Sequence, residues 1–106
     1  MGKADQVRLF LRETDLATVR VTDAAKAIGH PSGRIRNYLT RENISFPALL
    51  EEERKRRFMK LLEVNKTPDL ALVNKVTGYT HTNSSARAVV RWLGMTLREH
   101  NKRARR

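Results

Sequence analysis

The chain has 106 residues, 40% of them hydrophobic, and carries a formal net charge of +11 from 22 Lys and Arg against 11 Asp and Glu. That length allows one compact domain or two very small ones, and the absence of cysteine excludes disulfides and thiolate chemistry. No apolar run approaches the ~20 residues of a membrane-spanning helix, and the N-terminus lacks the uninterrupted apolar region of a signal peptide, so a cytoplasmic protein with no membrane attachment is expected.

In chain order, residues 4–13 are amphipathic, with Val7, Phe10 and Leu11 on one face and Lys3, Arg8 and Arg12 elsewhere. This reads as a first helix. A connection over residues 14–20 should tuck Leu16 and Val19 into the core. Residues 21–28 form the next helix, with Thr22 as N-cap and Asp23 in the first turn. Gly29 stops it, and the turn GHPSG leads into a helix over residues 32–42. Ile35, Tyr38 and Leu39 are its inner face, and Asn43 suits a left-handed C-cap.

Residues 46–63, FPALLEEERKRRFMKLLE, predict the longest helix. Phe46, Leu49, Leu50, Phe58, Leu61 and Leu62 form one stripe. Glu51, Glu52 and Glu53 precede Lys55, Arg56 and Arg57 by four residues, the favourable order for side-chain pairing on a solvated face. Such a helix would span roughly 27 Å. Thr67, Pro68 and Asp69 then give a start signal of N-cap, first-turn Pro and acid, for a helix that ends near Val76 before Gly78. Leu70, Leu72, Val73 and Val76 are its candidates for burial. After the turn at residues 79–82, a helix over residues 83–93 offers Ala86, Val89, Val90, Trp92 and Leu93 as its apolar set. Gly94 ends it. Thr96 and Glu99 make a capping box for a last short helix, and the basic end NKRARR is expected to fray. No stretch alternates at period two for long enough to be a strand. The expected fold class is all-α, about seven helices in two helix–turn–helix subdomains (residues 1–45 and 65–106) joined by a linker helix (residues 46–64).

A charge excess this large is relieved by an anionic partner, nucleic acid first and a membrane surface second. The repeated unit points the same way. Around Gly29 and again around Gly78, a short helix ends at glycine. A second helix then begins within a few residues, carrying small, polar and basic side chains outward. Arg bonds guanine O6 and N7 in a bidentate manner, Asn bonds adenine N6 and N7 likewise, accepting from N6 and donating to N7, and Ser or Thr serves base or phosphate. Amides at the helix start hold phosphate.

From residue 21 to about residue 102, roughly four-fifths of the chain, the sequence resembles the DNA-binding region of AraC/XylS transcriptional regulators. GYTHTNSSARAVVRWLGMTLREH (residues 78–100) is similar to that family's second helix–turn–helix, with Gly78, Tyr79, Arg87 and Gly94 in matching places. ERKRRFMKLL (residues 53–62), with Arg54, Leu61 and Leu62, is similar to its linker helix. Asn74, Ser85 and Leu97 stand where the family usually has Ala, Phe and Pro, and Asn74 and Ser85 are expected to hydrogen-bond across their two helices.

The resemblance implies sequence-specific duplex DNA binding and transcription regulation, usually as an activator on an asymmetric site. Bacterial nucleoid association, RNA polymerase as a second partner and a monomer on DNA, with a dimer as the alternative, are expected with it. The base-reading candidates it implies are Gly33, Arg36 and Asn37 in the first unit, and Thr82, Asn83, Ser84, Ala86 and Arg87 in the second. The phosphate candidates are Arg34, Arg41, His81, Arg91 and the tail from Lys102 and Arg103 to Arg106. Only about twenty residues precede the first unit, whereas relatives of that family commonly carry a separate effector domain. Either a stand-alone regulator or a fragment is expected, with Met1 favouring the first.

Plainer readings stand beside these. Exposed Arg on a short helix is commonly a solvated face. Trp92 and Tyr79 are expected in the core. Arg54 lies on the apolar stripe and needs a partner, such as Asp23. His30, His81 and His100 are too far apart for a metal site, no cofactor is implied, and no catalytic motif is present. A helical protein-interaction adaptor and a non-specific DNA-binding accessory protein are the alternative functions. If the central helix spaces two reading heads, one residue inserted beside Glu53 rotates one head by about 100°. Specific binding, measured by electrophoretic mobility shift, should then be abolished with helix content by circular dichroism unchanged. Retained specificity would mean that one unit reads alone.

Overall fold

The computed structural model describes residues 2–105 and is all-helical over them. In order the helices are α1 (Lys3–Arg12), α2 (Val21–Ile28), α3 (Ser32–Arg41), α4 (Phe46–Val64), α5 (Leu70–Thr77), α6 (Thr82–Leu93) and α7 (Leu97–Ala104). The chain divides into two compact units, and the division falls inside α4, between Glu53 and Arg54.

In the first unit, α1, α2 and α3 pack on one another. Their core is Ala4, Val7, Leu11, Leu16, Val21, Ala24, Ala25, Ile35 and Leu39, joined by Leu49 of α4. The spacings 4, 7, 11 and 35, 39 are those of one helix face, which is why these segments fold as helices and bury these residues. Leu16 is buried and Val19 packs beside it, as expected of the connection. Val21 is 9% exposed and is the first helical residue, which moves the cap of α2 back to Arg20. Thr22 is exposed on the helix rather than capping it. The Asp23 carboxylate accepts from the Arg20 amide at 2.8 Å. At the other end of α3, Asn43 takes φ 59°, the left-handed conformation that Asn tolerates better than most residues.

The apolar residues of α4 do not form the one stripe expected of them but divide between two clusters. Phe46, Leu49 and Leu50 belong to the first core, and Phe58, Leu61 and Leu62 to the second. The acidic run is not the uniformly solvated face expected of it. Glu53 is only 5% exposed, four residues after the buried Leu49 and so near its side of the helix. Glu52 pairs with Arg8 of α1 at 2.8 Å, and Arg8 also pairs with Asp5. The hydrogen bond to Glu52 is the main reason the Arg8 guanidinium holds its proton more tightly than usual. These side chains are 36–59% exposed, so each pair contributes at most about 1 kcal/mol.

In the second unit, α5 packs on α6 and α6 on α7 around Phe58, Leu61, Val73 and Val89. The Phe58 and Trp92 rings lie 5.4 Å apart, and Trp92 and Tyr79 are half-buried against this cluster. α5 begins later than its start signal suggests. Asp69 is the cap, its carboxylate accepting from the Leu72 amide at 2.8 Å. The Thr67 amide is taken by the Asn65 side chain at 3.1 Å, and Pro68 is fully buried with its carbonyl accepting from Asn101 Nδ2 at 2.8 Å. A residue so engaged cannot open the helix.

On α6 the apolar face is Ser85, Ala88, Val89 and Trp92, while Ala86 is exposed and Val90 is 42% exposed. The expected bond between Asn74 and Ser85 does not form. The Ser85 hydroxyl donates to the Thr82 carbonyl of its own helix at 3.0 Å, the local alternative open to any helical serine. Asn74 Oδ1 is left buried with no hydrogen-bond partner among the described residues.

The capping box of α7 forms as expected. Thr96 Oγ1 accepts from the Glu99 amide at 3.1 Å, and Glu99 Oε1 accepts from the Thr96 amide at 3.3 Å. The Thr96 hydroxyl, and then its amide, hold the Glu99 carboxyl below its usual range. The basic end does not fray at residue 101: helix continues to Ala104, tied down by Asn101 on Pro68 and by His100 Nε2 on the Lys66 carbonyl at 3.2 Å.

Two stability predictions result. Asp69→Ala should cost about 0.5–2 kcal/mol by urea unfolding and Thr67→Ala clearly less; the reverse order would restore Thr67 as the cap. Asn74→Ala should raise stability by about 1 kcal/mol, since it removes a buried unpaired carbonyl and installs a better helix former. A loss on that substitution would show that the side chain has a partner in solution.

Candidate nucleic-acid interface

Each unit presents one helix whose position is fixed from behind by a glycine turn. In the first, α2 ends at Gly29, which takes φ 87°. The amides of Gly29 and His30 both bond the Ala25 carbonyl at 2.9 Å. This is a left-handed helix stop, which glycine enters without the Cβ penalty of other residues. Pro31, at φ −60° and ψ 146°, precedes α3. In the second, Gly78 at φ 82° ends α5, its amide bonding the Asn74 carbonyl at 2.9 Å. The turn over Tyr79 and Thr80 leads to His81, the cap of α6, so α6 starts at Thr82, one residue earlier than the sequence suggests.

The second turn is also held by α4. Arg54 Nε donates to the Thr77 carbonyl at 3.1 Å, and its guanidinium lies 4.3 Å from the centre of the Tyr79 ring. The partner needed by a charge on an apolar stripe is met by a helix-terminal carbonyl and an aromatic face, while the Asp23 carboxylate serves the Arg20 amide.

Burial of Ile35 and Leu39 decides what α3 shows. Gly33, Arg34, Arg36, Asn37, Thr40 and Arg41 are exposed. At 100° per residue, Asn37 points directly away from the core, with Arg36 and Thr40 on one flank and Arg34 and Arg41 on the other. Arg36 also borders a hollow of about 250 Å³ formed with Leu39, Ile44, Ser45, Phe46 and Pro47.

On α6, burial of Ser85, Ala88 and Val89 leaves Thr82, Asn83, Ser84, Ala86, Arg87, Val90 and Arg91 exposed. Asn83, Arg87 and Val90 form the outward stripe, with Ser84 and Arg91 beside it. His81 is exposed at the start of α6, and Lys102 and Arg103 are exposed on α7. Arg106, the last of the basic tail, lies outside the described residues. All the predicted side chains within those residues are therefore at the surface: the base-reading candidates lie on α3 and α6, and the phosphate candidates on α3, at and on α6, and on α7 and the residue after it. Two residues of these faces escaped the sequence reading. Val90 looked like core, and Thr40 carried no signal. Their spacing of three from Arg87 and Asn37 is what reveals them.

Among the described residues no three His, Asp or Glu side chains come together in a way that could hold a metal ion, and no helix is long and apolar enough to cross a membrane.

No protein-family model and no curated protein matches this sequence. Solved structures do match its fold. A DNA-binding transcriptional dual regulator from Escherichia coli K-12 superposes with a TM-score of 0.85 over 97% of this chain and 98% of its own, at 18% sequence identity. The C-terminal domain of AraT, a response regulator from Geobacillus stearothermophilus, superposes with a TM-score of 0.78 over 96% of this chain and 85% of its own, at 15% identity. At these identities the likeness is one of fold: this chain has the all-helical architecture found in those regulators.

Proposed function

We propose that this protein is a sequence-specific duplex DNA-binding transcription regulator of the AraC/XylS type, with α3 and α6 entering successive major grooves. The observation that carries the reading is the pair of exposed stripes, Arg36–Asn37 on α3 and Asn83–Arg87 on α6, each on the helix that follows a glycine turn. Arg donates both its bonds to guanine O6 and N7, and Asn donates to adenine N7 while accepting from N6, so these are the side chains that read those edges in a bidentate manner. Val90 adds an apolar contact suited to a thymine methyl. Arg34, Arg41, His81, Arg91, Lys102 and Arg103 surround these stripes as phosphate contacts, in a chain with a net charge of +11. Residues 1–45 and 65–106 are the two reading subdomains and residues 46–64 the linker. A monomer on DNA that activates through RNA polymerase completes the reading, and the regulators of similar fold support it.

The test begins with selection of bound fragments from random duplex DNA, followed by affinity measurements on the selected site. Specific binding should weaken steeply with salt, each neutralised phosphate adding about −0.9 to the log–log slope. Arg36→Ala and Arg87→Ala should each cost about 1–3 kcal/mol on the selected site and relax sequence preference at one position. Equal losses on every sequence would make these residues backbone contacts, and a salt slope near zero would remove direct DNA binding in favour of a protein-interaction role.

A further inference from the structure

Four residues of the first unit meet on the flank of α3 that carries Arg34. Lys3 Nζ stands 3.0 Å from His30 Nε2. An ammonium can only donate, so as a hydrogen bond this contact needs the lone pair of Nε2. Both groups border Tyr38. Lys3 Nζ is 5.5 Å from the centre of that ring, His30 meets it edge-on at 5.7 Å, and the Arg41 guanidinium lies 5.9 Å away. One tyrosine thus gathers three basic groups, from α1, from the helix–turn–helix turn and from α3.

The acids on the same elements are engaged elsewhere. Glu42 accepts from the Ala4 amide at 3.0 Å, Asp5 pairs with Arg8 at 2.8 Å, and Asp23 accepts from the Arg20 amide. The other charged residues of α2 and α3, Lys26, Arg34 and Arg36, are exposed bases. Positions 34, 38 and 41 share one side of α3 by helix periodicity, so Arg34 extends the same basic flank.

We propose that Lys3, His30 and Arg41 form a binding site for a backbone phosphodiester of duplex DNA, and that filling it draws one proton onto His30. The inference rests on the DNA-binding reading above and adds to it two ligands, Lys3 and His30, which lie outside the helix faces that would enter the groove. A phosphate oxygen arriving between Nζ and Nε2 ends the contact of ammonium with lone pair. The imidazole takes a proton from solvent at Nε2 and donates it to the phosphate, and Lys3 donates to the same group, giving two charge-assisted bonds. The sign of the coupling follows. The bound state holds one proton more than the free state, so affinity rises as pH falls through the range in which imidazoles titrate, about pH 8 to 5, and levels off above it. One linked proton changes affinity by at most about tenfold per pH unit.

The test is fluorescence anisotropy of the whole chain on duplex DNA at constant ionic strength, between pH 6 and pH 8. Wild type should bind at least about threefold more tightly at pH 6, within the bound set by one linked proton. His30→Gln should lose most of that difference, and His81→Gln, at the matching turn of the second unit, should keep most of it. Lys3→Gln should reduce the salt slope by about 1, and Lys3→Arg should restore it. Circular dichroism separates these effects from unfolding; should His30→Gln lose helix content, the Lys3 pair decides alone. The proposal is overturned if duplex binding is intact while His30→Gln keeps the full pH dependence, or while Lys3→Gln leaves the salt slope unchanged. Absence of any salt-dependent duplex binding by wild type would instead defeat the DNA-binding reading itself.

Discussion

The left-handed backbone at Gly29 and Gly78 is the constraint on which the rest depends. Each glycine ends a short helix in a conformation that most residues enter only at a cost of about 1–2 kcal/mol. Each thereby sets where the following helix begins. Everything the surface offers, from Arg36 and Asn37 to Asn83 and Arg87, inherits its direction from that point. The cores behind do the remaining work. Ile35 and Leu39 in one unit, and Ser85, Ala88 and Val89 in the other, are fully buried. They leave each helix only one rotational setting in which its polar stripe faces solvent.

Charge and packing are separated with unusual economy. The buried residues are almost all aliphatic or small, apart from Phe58, and Glu53 is the only carboxylate among the buried residues described. Most of the bases lie outside the two cores. Such a surface retains its repulsion in the free protein. The free energy of that repulsion is what a polyanion would relieve, and counterion release would add to it. Binding by such a surface is sensitive to ionic strength by construction.

The parts of the fold legible in the sequence were those with a strong local cause. The helix stops at Gly29, Gly78 and Gly94, the left-handed Asn43 and the Thr96–Glu99 box were visible because backbone conformation and short-range hydrogen bonds are encoded within a few residues. The errors share another cause. Thr67 and Pro68 look like a helix start until Asn101, more than thirty residues later, takes the Pro68 carbonyl. Val90 looks like core until burial of Ser85 turns α6 around. Asn74 and Ser85 looked like a pair because each seemed to need a partner, yet a serine inside a helix can satisfy itself. In each case a tertiary contact or a self-contained hydrogen bond outweighed the local pattern. The candidate site was legible as a set of residue types; the Lys3–His30–Tyr38–Arg41 grouping was not, because it draws on three separate segments.

Arg54 carries a consequence of another kind. Its guanidinium joins α4 to the last carbonyl of α5 and lies against Tyr79, so the bend that leads into α6 is braced from outside the turn itself. Thr80 is then an exposed residue with little structural duty, and its identity can drift without disturbing the angle at which α6 emerges. The brace itself has no such freedom. A lysine would keep the charge but lose both the planar face that lies on tyrosine and the fixed direction of the Nε hydrogen. Variation among descendants of this protein should therefore be tolerated at Thr80 and spare the arginine.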